Sequence, residues 1–141
     1  MTRLHSSDLV QFARKYRFVG GKLTRLGLRN RRGSTTVVAV ILVRPATRDL
    51  AHVPKPVRLK LEITGVEEYR FQKRPTMAAG KMSDLKFGYF NGVYFINFDA
   101  WGLPAGEVPG VHDFRASDFY VAGNDLFWEE MAAEKSATDK K

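Results

Sequence analysis

The chain has 141 residues, no cysteine and a net charge of +8, a length that suits one domain whose core needs neither disulfide nor metal. The lack of cysteine excludes a disulfide framework, Cys-based zinc sites and a cysteine nucleophile. No run reaches the ~18 apolar residues of a membrane helix, and the N-terminus has no apolar signal-peptide core; the expectation is a soluble cytoplasmic protein with no membrane partner.

The charge is unevenly placed. Residues 1–44 hold ten Lys or Arg and one acid, Asp8, whereas residues 45–141 carry a net −1. Such asymmetry points to a polyanion or an acidic protein as partner, and against it stands a solvated surface that binds nothing.

The first element expected is a helix from Ser7 to Tyr16, where Leu9, Phe12, Ala13 and Tyr16 fall on one stripe. Its expected role is to cover the Phe90/Phe95 side of a sheet. Lys22 to Arg29 and Thr35 to Arg44 read as two strands joined at Asn30-Arg31-Arg32-Gly33. Val37 to Val43 is apolar without a break, as in a strand buried on both faces. The tip carries Arg29, Arg31 and Arg32. Guanidinium forks grip phosphates and carboxylates in bidentate fashion, so the tip is a candidate anion probe.

Pro45 to Pro56 reads as a loop holding His52, which nothing nearby suits to metal or proton transfer. Val57 to Ile63 alternates strictly, and Tyr69 and Phe71 follow on a second inward face. A hairpin with Gly65-Val66-Glu67 as its loop pairs Ile63 with Tyr69, and sets Glu62 against Arg70 rather than Glu68. In Lys73 to Ser83, the Ala79-Gly80-Lys81-Met82 segment fails as a phosphate-binding loop: Pro75 stands where the first glycine belongs, and Met82 replaces the hydroxyl residue.

Leu85 to Trp101 is the strongest structural signal. Asn91-Gly92 between alternating apolar runs marks a type I′ hairpin. Its register sets Tyr89 against Tyr94, Phe87 against Ile96, Gly88 against Phe95 and Phe90 against Val93, which places this ribbon at the centre of a β-rich core. Gly102 to Asp113 is a Gly/Pro-rich loop, bounded by Trp101 and carrying Glu107, His112 and Asp113; irregular loops of this length often bind ligands. Phe114 to Glu130 reads as another hairpin turning near Gly123-Asn124, and residues 131–141 as a polar tail.

The fold expected is therefore mainly β: an antiparallel β-sandwich or open barrel of about eight strands with one short N-terminal covering helix, in a single domain over residues 1–130.

Three functional readings follow. A hydrolase would use His112 with Asp113 and Asp118 as the acid/base set, since a carboxylate on one ring nitrogen orients the other. Asp84, Asp99, Asp113, Asp118 and Asp125 could gather around a hard cation, although their spacing matches no calcium loop. A nucleic-acid binder would use Arg25, Arg29, Arg31, Arg32, Arg58, Lys60 and Arg70 with exposed aromatics, but no established nucleic-acid motif is present. The leading reading is a non-catalytic protein-interaction module without cofactor, using Arg25, Arg29, Arg31, Arg32, Trp101 and His112 toward an acidic protein partner. Its oligomeric state is not encoded in any motif.

Overall fold

The computed structural model describes residues 1–47, 54–72, 82, 84–100 and 109–132. Within them lie β1 (Thr2–Arg3), α1 (Leu9–Lys15), β2 (Tyr16–Arg31), β3 (Ser34–Pro45), β4 (Val57–Phe71), β5 (Lys86–Phe90), β6 (Val93–Asn97), α2 (Val111–Arg115) and β7 (Phe119–Ala132). The seven strands form one antiparallel sheet in the order β2-β3-β4-β7-β6-β5, with β1 added to β7.

The sheet curls until its outermost strands meet. Phe18 of β2 and Phe87 of β5 lie 5.5 Å apart between ring centroids, with no ladder joining the two strands. The result is an open barrel whose seam is filled by α1. Phe12 of that helix packs its ring on Tyr16, Phe18, Phe87 and Trp128 at 5.2 to 6.5 Å. The helix thus covers the inner, Phe87 side of the ribbon. The expected Phe90/Phe95 side is instead covered by Phe114 of α2, whose ring lies 5.6 Å from Phe95.

Alternation decides which side chains enter the barrel. Val37, Ala39, Ile41 and Val43 point inward beside Leu59, Leu61 and Ile63, in the register Val37↔Ile63, Ala39↔Leu61 and Ile41↔Leu59. The intervening Val38 and Val40 are also buried, at 8% and 6% exposure, in keeping with the unbroken apolar run of β3.

The Asn91-Gly92 hairpin forms in the expected register, Phe87↔Ile96 and Tyr89↔Tyr94 included. Its position differs from expectation. β5 is an outer strand, and the centre of the sheet is the β4–β7 pair.

Two other expected hairpins do not exist. Residues 57–71 are one strand and residues 119–132 another, paired along their whole length from Val57↔Ala132 to Phe71↔Phe119. Glu62 therefore faces Phe127, and Arg70 faces Tyr120, rather than each other. The reason lies in the backbone. A two-residue I′ turn needs two consecutive residues at positive φ, and both true turns have them: Arg32 (54°) with Gly33 (76°), and Asn91 (52°) with Gly92 (80°). The three-residue loop expected at Gly65-Val66-Glu67 would need its last residue in the left-handed region. The positive φ falls on Gly65 (59°) and not on Glu67, and at the other site neither Gly123 nor Asn124 is positive. Both sites lie instead within the β4–β7 ladder, next to an irregularity between Val66 and Glu68 that leaves Glu67 without an opposite residue. Such bulges raise local twist and bend a strand, which helps a single sheet to curl.

Candidate binding face

The outer face of β2, β3 and β4 is built by the side chains that alternation sends away from the core. Its rows follow from the register: Arg25–Val40–Lys60, Gly27–Val38–Glu62, Lys22–Leu42–Arg58 and Arg29–Thr36. Arg31, opposite Ser34, continues the same side of β2. Cations thus stand on the two outer strands of this patch, and aliphatic residues on the strand between them.

The patch is concave. A groove of about 740 Å³ is lined by Arg25, Arg29, Arg58 and Lys60, over a floor of Val38, Val40, Leu42 and Met131. Gly27 helps to open it, because nothing lies within 4 Å of where its β-carbon would be. Among the described residues no carboxylate lines the groove. The acids of this face lie at its border, Glu62 opposite Val38 and Glu129 opposite Lys60. The buried Arg58 Nε has no hydrogen-bond partner among the described residues.

A second, smaller hollow of about 410 Å³ shares Leu42 and Pro56 with the groove and adds Arg17, Lys22 and Arg44. Arg17 and Arg44 are direct cross-strand neighbours. Cations directly opposite repel, and Arg44 turns one guanidinium nitrogen to the Pro54 carbonyl at 2.8 Å.

Among the described residues no aromatic ring lines either hollow. The rings are concentrated inside the barrel and around α2.

The expected site residues therefore divide. Arg25, Arg29 and Arg31 share the basic face, Arg32 occupies the turn at its end, and Arg58 and Lys60 join them from β4. Arg70 is elsewhere. It donates to the Arg115 and Ser117 carbonyls, both at 3.0 Å, and lies over the Tyr120 ring. His112 is exposed on α2, away from the basic face. Asp113 does not orient it, because Asp113 Oδ2 accepts the Gly110 N–H at 2.7 Å and closes the first turn of the same helix. Asp118 is half-buried just before β7. Trp101, Glu107, His52 and most of the 102–113 loop lie outside the described residues, and of Ala79–Met82 only Met82 is described, buried in the core.

The aspartates do not assemble around a cation. Asp84 bonds the Leu85 N–H and Lys86, Asp113 closes α2, and Asp125 takes Arg3. Among the described residues no three His, Asp or Glu side chains gather closely enough to hold a metal ion.

One polar cluster was not visible in the sequence. Arg115 of α2 grips Glu68 with two bonds of 3.0 and 3.2 Å, while Tyr120 donates to the same carboxylate at 2.9 Å. The Arg115 hydrogen bond holds the Glu68 carboxyl below its ordinary range against the opposing effect of burial, with a lesser contribution from the Tyr120 hydrogen bond. Burial and the Glu68 bond push the Tyr120 phenol upward. Every member bonds another, so the cluster fastens α2 to β4 and β7.

Of the additional cations, Lys22 and Arg44 lie in expected strands but form no local cluster, and Arg17 falls before the expected start of the strand at Lys22. Tyr16 to Gly21 continues the strand, and irregularities between Arg17 and Lys22 and around Thr24 break the simple alternation.

Comparison with known proteins finds no matching family model, no similar curated protein and no similar solved structure.

Proposed function

We propose that the protein is a non-catalytic interaction module whose basic outer face receives an acidic segment of another protein. The observation that carries this reading is the composition of the groove: four cations around an aliphatic floor, with no carboxylate and no aromatic ring among the described lining residues. Cations on a desolvating apolar floor suit carboxylates interspersed with aliphatic side chains. Single-stranded nucleic acid draws much of its affinity from stacking on aromatic rings, and this face offers none. Complementary charge of this kind raises association rate and excludes cationic partners.

The test compares two polyanions on the same protein. Labelled polyglutamate and a single-stranded oligonucleotide of matched charge are titrated at low and at physiological salt. The reading expects polyglutamate to bind, with loss on the double change Arg25→Glu and Arg29→Glu, and the oligonucleotide to bind more weakly. Tighter binding of the oligonucleotide that survives physiological salt overturns this in favour of nucleic acid. Absence of polyglutamate binding at low salt overturns it outright.

A further inference from the structure

We infer that the acidic partner segment docks as an added strand along the free edge of β2, with acidic and aliphatic residues alternating in its sequence. The inference rests on the proposed function above and specifies how the partner binds.

β2 is the outermost strand of its end of the sheet. Among the described residues the only main-chain bond from outside to the stretch from Gly20 to Arg31 is that of the Met82 N–H to the Gly21 carbonyl, at 2.8 Å. Beyond Gly21 no other described residue pairs with this edge. The Arg32-Gly33 turn closes on the pair Arg31 and Ser34, and the flanking pair of a two-residue turn exchanges hydrogen bonds. Antiparallel alternation then assigns the same pattern to Arg29/Thr36 and Gly27/Val38. The N–H and C=O groups of Leu26, Leu28 and Asn30 are thereby turned away from β3, toward the open edge. They form a template for strand addition.

The side chains define the complementary sequence. On the outer face β2 presents Arg25, the vacant Gly27, Arg29 and Arg31. A strand laid beside it has every second residue on that face, where glutamate or aspartate would meet guanidinium. On the inner side β2 presents Leu26, packed against the core, and Leu28, opposite the inward Val37 and 47% exposed at the rim of the groove, with no described strand beyond it. The alternate residues of the partner would cover Leu28 and extend the core, which calls for valine, isoleucine or leucine. A second copy of this chain is excluded by the same charges: β2 paired with itself would set Lys22, Arg25, Arg29 and Arg31 against one another.

The probe is a fluorescent peptide of alternating glutamate and valine, long enough to span Leu26 to Asn30. Its control has the same sequence, with N-methyl groups on the amides that would face β2. Edge pairing expects the control to bind about tenfold more weakly, the effect of losing ordinary hydrogen bonds. Leu28→Pro removes an outward N–H from an outer strand, a place where proline is tolerated. It should weaken the unmodified peptide similarly. If that variant fails to fold, the methylated peptide on the wild-type protein still decides. Equal affinity of the two peptides overturns edge pairing and leaves the acidic-partner reading intact. Failure of both peptides and of polyglutamate to bind removes both.

Discussion

Gly123 lies so close beneath Ile63 that a β-carbon on it would stand 2.3 Å from Ile63 Cγ2, with the Thr64 carbonyl oxygen at 2.8 Å. Across the same ladder, a β-carbon on Gly65 would meet Asn124 Nδ2 at 2.7 Å. Each glycine removes bulk where the long strands cross irregularly. Gly123→Ala should therefore overpack the crossing at a cost of about 1–3 kcal/mol, because one obstructing atom is backbone and cannot rotate aside. Urea denaturation of the variant measures it; stability equal to wild type would mean that the crossing can relax.

Two phenylalanines on helices close opposite faces of the sheet. Phe12 is 4% exposed in the barrel seam, and Phe114 is 1% exposed beneath α2. Phe12→Ala and Phe114→Ala should each cost about 3–5 kcal/mol. Near-ultraviolet dichroism and denaturation of both variants check this. Tyr89→Ala, at a residue 42% exposed, serves as a mild control.

Arg17 and Arg44 oppose each other across the β2–β3 ladder. Arg17→Glu exchanges a repulsion for an attraction and should stabilise the fold by up to about 1 kcal/mol. The gain should shrink as salt rises, since both residues are exposed. Thermal midpoints in low and high salt give the answer, and a variant less stable than wild type at low salt contradicts the pairing.

Arg32 sits at φ 54° in the turn, a conformation costing an ordinary L-residue roughly 1–2 kcal/mol and tolerated better by asparagine. Arg32→Asn should raise stability by up to about 1 kcal/mol. A stability gain accompanied by weaker polyglutamate binding would assign the strained arginine to recognition.

The Glu68 carboxyl is held low chiefly by Arg115. A lowered folded-state value favours the ionised form in the native protein, so its contribution is present above the ordinary value of 4.5. It is lost as pH falls through the lowered value. Glu68→Gln should flatten that part of the acid limb, seen in urea midpoints from neutral pH to about pH 3. An unchanged acid limb would remove Glu68 from the account of stability.

What the sequence made legible was local. Asn91-Gly92 announces its own turn, and the alternation from Val57 to Ile63 announces its own inward face, so both appear as expected. The errors concern which strand lies beside which. Gly65 and Gly123 look like turn residues when each is considered with its neighbours alone. Their role emerges only when residues 57–71 and 119–132 are laid side by side, a pairing that no local pattern specifies. The basic face follows the same rule. Arg29, Arg31 and Arg32 were visible as an arginine-rich tip, but Arg58 and Lys60 come beside Arg25 and the tip only through the β3–β4 register. Arg70, read as their companion, lies at the other end of β4, opposite Tyr120. Glu68 and Arg115 are joined by tertiary packing, with no spacing to reveal them.

β7 pairs with β1, β4 and β6, which has a consequence for how the chain is made. Thr2 finds Trp128, and Leu61 of the central pair finds the same residue from the other side. Until residues 119–132 have left the ribosome, the six earlier strands cannot join into one sheet, and the apolar runs of β3 and β4 have only each other and β2. Pairings so distant in sequence form slowly, and unpaired apolar strands are prone to aggregate while they wait. Synthesis should therefore yield a nascent chain that holds an early β2–β3–β4 meander, depends on chaperones through most of translation, and acquires its barrel in one late step.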